Sequence, residues 1–159
     1  MKAVTLHNPW AWAVAAGWKE VETRSWLTSY RGPLAIHAGM KQDVDGRMLH
    51  LKLNSVRGVG HIAPEWNDLV FGAVVATCNL VACLPTALVE YEAKKLPKWF
   101  EPKRGWEVEK LFGNYAPGRW AWILRDVVPI DPPIPAHGWQ RLWNWTPPAN
   151  LSVELGLQP

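Results

Sequence analysis

Around Gly17 the hydrophobic period of the chain switches from that of a helix to that of a strand, and this switch constrains the fold more than any other feature. Before it, Pro9-Trp10-Ala11-Trp12-Ala13-Val14-Ala15-Ala16-Gly17 is apolar nearly all round, which implies a short helix buried on most of its surface. Asn8 reads as the N-cap, Pro9 as the first helical residue, where its missing N–H costs nothing, and Gly17 as a left-handed stop. The start of such a helix also presents N–H groups suited to a phosphate or carboxylate. After Gly17, Lys19 to Trp26 alternates as a strand does, with Glu20, Glu22, Arg24 and Trp26 on one face and Lys19, Val21, Thr23 and Ser25 on the other. Val21 and Thr23 form the core face. Lys19 belongs to the turn, where its amine can join Glu22, because a buried ammonium without a partner is costly. Arg31-Gly32-Pro33-Leu34-Ala35-Ile36-His37-Ala38 then supplies a buried strand.

The remaining segments follow from the same signals. Lys2 to His7 suits a first strand. Leu27 to Gly32 reads as a polar loop, and Asp43 to Leu53 as an amphipathic helix that turns Val44, Met48 and Leu51 inward. Asn54 to Asp68 reads as a surface loop, and Phe71 to Leu84 as a central strand or bent pair ended by Pro85. Helical pieces are expected at Ala87 to Lys95 and Trp106 to Phe112. Arg119 to Ile130 is a strong strand entered through Pro117-Gly118, and Pro129, Pro132, Pro133 and Pro135 force an extended continuation. Gly138 to Trp145 closes a barrel as a strand or turn. With no internal repeat and no βαβ rhythm, the chain reads as α+β: a small mixed β-barrel with surrounding helices. One domain spans 1–145, followed by a C-terminal tail, 146–159.

Composition narrows the function. The length of 159 residues supports a core without staples, and Cys78 and Cys83 sit in one apolar run, which fits a reducing, cytoplasmic setting rather than a disulfide framework. There is no paired-cysteine zinc motif, no G-x-G-x-x-G, no P-loop, no G-x-S-x-G and no H-E-x-x-H, so neither a metal nor a cofactor is expected. Lys2 and the apolar residues after it imitate a secretory signal, but His7, Asn8 and Pro9 interrupt it, and no run is long enough for a membrane span. The net charge of +3 and pI of about 9.0 permit a polyanionic partner. The twelve tryptophans can serve as core or as base-stacking platforms. Between Glu90 and Lys110 six Lys or Arg nearly balance five Glu, the pattern of a solvated insertion, although Trp99, Phe100 and Trp106 among them also suit a single strand.

The combination Leu6-x-x-Pro9-Trp10-Ala11, Gly17-x-Lys19-x-x-Glu22-x-Arg24-x-Trp26 and Arg31-Gly32-Pro33-Leu34-Ala35-Ile36-His37-Ala38 resembles the activating-signal-cointegrator homology (ASCH) domain. Gly118-Arg119-Trp120-Ala121-Trp122-Ile123-Leu124 and Gly138-Trp139-Gln140-Arg141-Leu142-Trp143 are similar to the closing part of the same family. The resemblance covers roughly residues 2 to 145. It implies a barrel related to the PUA fold, a cleft near the Gly-x-Lys-x-x-Glu-x-Arg segment, and a nucleic-acid or nucleoside ligand. Members of the family are associated with RNA or DNA binding, ribonuclease activity, or amidohydrolysis of acylated cytidine. The catalytic lysine of the amidohydrolase branch falls on Lys19, its threonine nucleophile is replaced by Glu22, and its downstream glutamate corresponds to Glu90, Glu92, Glu107 or Glu109. The tyrosine that the ribonuclease branch places before the lysine is absent.

These readings give one candidate site and two functions. Asn8, Trp10, Lys19, Glu22, Arg24, Trp26, His37, Lys41 and Arg119 are the candidate nucleic-acid contacts, with Ser25 and Tyr30 as further neighbours. Arg24 offers a planar fork for phosphate, Glu22 an acceptor for an exocyclic amine, and Lys19 a point charge. The expected partner is single-stranded RNA or DNA, or a nucleotide, bound without chemistry. The alternative is a metal-independent hydrolase with Lys19 and Glu22 as its catalytic residues. Exposed tryptophans acting in protein interaction are a third reading.

Overall fold

The computed structural model describes residues 1–42, 44–54, 62–92 and 96–154, with side chains given for these except 90–92 and 152–154. Six strands form one sheet: β1 (Lys2–Leu6), β2 (Val21–Arg24), β3 (Gly32–Ala38), β4 (Ala73–Pro85), β5 (Trp120–Pro135) and β6 (Leu142–Asn144). Their spatial order is β2-β5-β4-β3-β1-β6. Only β1 and β3 run parallel among these pairs, so the sheet is mixed. Five helices accompany it among the described residues: α1 (Trp10–Ala15), α2 (Val44–Leu53), α3 (Thr86–Glu92), α4 (Gly105–Glu109) and α5 (Ala149–Glu154).

The sheet curls into a half-barrel because its two longest strands are irregular. The β4–β5 register slips between Val74 and Ala76, between Thr77 and Asn79, and between Leu80 and Ala82, and each slip sharpens the local twist. Within β5 the prolines lie beyond the stretch that pairs with β2, where β4 is the sole neighbouring strand and a missing N–H breaks no second ladder. Inside the curl, Val4, Leu6, Leu34, Ile36, Leu80 and Trp122 pack against Ala11 and Val14 of α1. A second layer joins Ala13, Leu53 and Phe112, so that α1, α2 and the segment after α4 share one small core. The curl brings the edge strand β2 against β1: the Arg24 guanidinium at the end of β2 donates to Thr5 O of β1 at 2.7 Å.

Several expectations shift in detail. Pro9, not Asn8, occupies the N-cap of α1, and Asn8 acts from one residue further out, its Oδ1 accepting the Trp12 N–H at 3.3 Å. Gly17 does take a left-handed φ of 70°. The facing of α2 is the reverse of the one read from its apolar residues. Val44, Met48 and Leu51 are exposed, while Gly46, His50 and Leu53 point inward. Both triplets have the same spacing, and His50 wins because Nε2 donates to Pro64 O at 2.7 Å and its ring meets Trp66 edge-on at 5.4 Å. Trp66 itself is buried in a 3₁₀ turn within the segment read as a surface loop; residues 55–61 of that loop, Asp43 and residues 93–95 of the expected helix lie outside the described residues. The segment read as a tail carries α5, whose Leu151 packs against Trp145.

His37 of β3 links the sheet to the segment before β6, donating from Nε2 to Ala136 O at 3.0 Å. Burial lowers its pKa from 6.5, the Ala136 carbonyl opposes that shift, and His137 adds to it. The unfolded chain therefore binds this proton more readily. The stability contribution is complete above the unfolded value and is lost as pH falls from about 6.5 through the lowered folded value. Urea denaturation at about pH 7.5 and about pH 5.5 checks this: wild type should lose stability on acidification, and His37→Gln, which keeps a donor for Ala136, should lose less.

Candidate functional site

The turn at Gly17 builds the site from below. Trp18 N and Lys19 N both donate to Ala13 O, at 2.8 and 3.0 Å, and this directs Lys19 into the interior, where it is 0 % exposed. An ammonium at such depth needs full compensation. It receives it from three sides: Nζ donates to Val21 O, lies 3.3 Å from Glu22 Oε2, and lies 3.9 Å from Glu109 Oε1. Glu109, brought in by α4, also accepts the backbone N–H groups of Glu20 at 2.8 Å and Val21 at 2.9 Å. Burial raises its pKa, opposed by the Lys19 cation and by these two N–H groups. Glu22 in turn meets Arg24, Nε to Oε1 at 3.1 Å.

Above this cluster lie two cavities of about 250 and 240 Å³ that share Trp10 and Glu22 as a common wall. The first is completed by Thr23, Leu49, Leu111, Phe112, Gly113, Asn114 and Arg119. Arg119 is braced there, donating to Asn114 O at 3.1 Å and Thr23 O at 3.2 Å. The second cavity contains Arg24, with Thr5, Leu6, His7 and Asp45. Each chamber thus sets one guanidinium against the same carboxylate and the same indole. That combination suits a planar, amine-bearing group joined to an anion.

Of the residues expected from the sequence, Trp10, Glu22, Arg24 and Arg119 converge on this cleft. Lys19 lies beneath it and lines neither chamber. Asn8 lines a separate cavity of about 200 Å³ with Trp12, Val70 and Pro133, and its Nδ2 donates to Val70 O at 2.6 Å. Trp26 stands edge-on to Trp122 at 4.6 Å, against the core, and His37 anchors the segment before β6. Lys41 and Ser25 are exposed, and Tyr30 donates to Pro33 O. Among the four glutamates set beside Lys19 by the resemblance, Glu109 is the one found there; Glu107 is exposed, and the side chains of Glu90 and Glu92 lie outside the described residues. Thr5, Asp45, Thr23, Leu49 and Asn114 were not anticipated. The Gly113-Asn114 turn signal after a helix was the visible clue to the last of these.

Cys78 offers no nucleophile, since burial pushes its thiol up to about 12, with Asp126 adding to the shift. Among the described residues no cluster of His, Cys, Asp or Glu has the makings of a metal site, and no helix is long and apolar enough to cross a membrane.

A curled, mixed half-barrel with helices around it defines an α+β protein of the PUA-like class. The ASCH domain model matches residues 4–117, and the chain belongs to that family. Activating signal cointegrator 1 from Homo sapiens is 34% identical over 81 residues, and the Mus musculus protein 32% identical over 81 residues. The match takes in 51% of this chain but only 14% of those relatives' length. The crystal structure of a single-residue variant of ASCH from Zymomonas mobilis shares the fold, with a TM-score of 0.50 at 18% identity over 98% of this chain and 96% of that one. ASCH domains have a PUA-like fold generally associated with RNA binding.

Removing Lys19 should be costly because the buried Glu109 would lose its cation and Glu22 one of its two. Lys19→Met is expected to destabilise the protein by about 3–5 kcal/mol in chemical denaturation. Adding Glu109→Gln should recover part of that loss, since the least hydrated carboxylate is then no longer charged.

Proposed function

We propose that the chain binds single-stranded nucleic acid, RNA foremost, in the two-chambered cleft and does no chemistry on it. The observation that carries this reading is the shared wall: Trp10 and Glu22 border both chambers, with Arg24 in one and Arg119 in the other. A base seated against the Trp10 indole presents its exocyclic amine to Glu22, and the guanidinium groups meet phosphate on either side. Lys19 acts through Glu22, holding its carboxylate in place. The remaining residues expected from the sequence, Asn8, Trp26, His37 and Lys41, would act on the ligand only indirectly. The free thiols of Cys78 and Cys83 accord with a reducing, cytoplasmic setting.

Fluorescence anisotropy with labelled oligonucleotides, RNA and DNA in parallel, tests the reading. Affinity should fall with salt on a log–log slope of about −1.4 for two phosphate contacts, and Arg24→Ala or Arg119→Ala should each weaken binding roughly tenfold and flatten the slope by about half. Oligo(A) and oligo(C) should bind more tightly than oligo(U), which has no exocyclic amine, and Glu22→Gln should narrow that difference. Binding that is absent or indifferent to salt would sink the proposal.

Hydrolysis by a lysine–glutamate pair draws support from two contacts of Lys19, with Glu22 at 3.3 Å and with Glu109 at 3.9 Å. Against it, the ammonium is fully buried beneath Glu22, and a carboxylate stands where a hydroxyl nucleophile is needed. Incubation with labelled RNA and with acylated cytidine should therefore release no product above buffer; turnover by wild type would reinstate the hydrolase.

A further inference from the structure

Trp139 is 62 % exposed, in a chain whose other large aromatics mostly pack inward. The segment that carries it is nonetheless fastened on both sides. His37 Nε2 donates to Ala136 O at 3.0 Å, and Gly138 lies so close on the His37 ring that a Cβ there would overlap it. Thr5 Oγ1 donates to Trp139 O at 3.0 Å and receives the Trp143 Nε1–H at 3.2 Å. Arg141, next to β6, adopts a φ of 59°, a conformation that a non-glycine residue takes only when its surroundings enforce it. Ala136 and Trp143 pack against the small core around Trp145, but that packing does not account for the exposed indole of Trp139 held between them. A flexible segment would leave the indole in water just as well.

Two contacts set the segment beside the cleft. Thr5, on which Trp139 is anchored, lines the second chamber, and its carbonyl holds the Arg24 guanidinium at 2.7 Å. Arg141 lies with Cζ 5.8 Å from the centroid of Trp26, two residues past Arg24 in the chain. Among the described residues the ring that meets Trp139 is His137, edge-to-face at 5.0 Å, an arrangement that covers at most one face of the indole. An exposed aromatic face, held rigidly and placed among arginines at the end of a cleft, is the arrangement by which single strands are gripped without sequence readout.

We propose that Trp139 is a stacking platform for the base of the nucleotide flanking the one in the cleft, with Arg141 meeting the phosphate between them. The inference rests on the single-strand reading above and extends the site by one nucleotide. Because the segment is already ordered, stacking on it costs little further entropy.

The test compares the 159-residue chain and its Trp139→Ala and Trp139→Phe variants on adenosine monophosphate and on a four-residue oligo(A). Wild type should bind the oligonucleotide more tightly than the monophosphate by roughly fivefold or more. Trp139→Ala should erase that advantage while leaving the monophosphate affinity unchanged, and Trp139→Phe should keep most of it. An oligonucleotide abasic on both sides of one adenine should bind wild type as weakly as the intact one binds Trp139→Ala. Unchanged oligonucleotide binding by Trp139→Ala overturns the platform alone, and would turn attention to a protein partner for this indole. Equal loss on both ligands also overturns it, by placing Trp139 within the cleft. Failure of wild type to bind either ligand overturns the cleft reading and the platform together.

Discussion

The architecture around the cleft depends on one buried cation. Lys19 has no exposed surface, so the fold exists only where its ammonium is compensated, and the compensating groups come from separate parts of the chain. Glu22 and the Val21 carbonyl belong to the strand that follows; Glu109 arrives from a helix distant in sequence. The same Glu109 carboxylate accepts the N–H groups of Glu20 and Val21. One short helical turn thereby fixes both the first residue of an edge strand and the charge beneath the cleft. Such a cluster is a poor source of stability compared with an apolar packing of equal volume, and it is strongly unfavourable when incomplete. Its physical effect is specification: Glu22 has one place to be.

Charge also closes the half-barrel. The sheet begins at β2 and ends at β6, and its curl leaves a seam where the end of β2 meets β1, the neighbour of β6. Arg24 spans it by donating to Thr5 O, and Arg141 approaches Trp26 on the same seam. A guanidinium can do this and still face a ligand, because its five donors lie in one plane and two partners do not exhaust them. The structural role and the proposed binding role would therefore meet in Arg24, which stands between the carboxylate that orients it and the strand that it holds.

The parts of this arrangement legible in the sequence are the local ones. The change of period at Gly17 and the pairing of Lys19 with Glu22 follow from spacing and from the cost of an unpaired ammonium. The turn placement read from that cost does not keep Lys19 out of the interior: it is fully buried, because Glu109 and the Val21 carbonyl complete its compensation. What sequence reasoning missed depends on tertiary choice. In α2, Val44-Met48-Leu51 and Gly46-His50-Leu53 offer equivalent stripes, and only the presence of Trp66 and the Pro64 carbonyl decides between them. Four glutamates were equally eligible to join Lys19 until the chain between β4 and β5 was folded. Trp139 stood inside a recognised motif, but exposure is not a property of a motif. Local pattern cannot show whether an indole faces the core or the solvent.

The charges within the cleft argue for a selective ligand over a generic polyanion. Lys19 and Arg24 are matched by Glu22 and Glu109, so the floor of the cleft carries almost no net charge, and Arg119 sits apart from the cluster in the first chamber. A surface evolved only to attract phosphate would have no reason to bury two carboxylates beneath it, since each repels the backbone that it is meant to hold. Glu22 becomes intelligible when the group it faces is a hydrogen-bond donor. Because a carboxylate rejects a ligand that cannot donate more strongly than it rewards one that can, on the proposed reading the cost of mispairing, rather than the strength of attraction, would set what this cleft accepts.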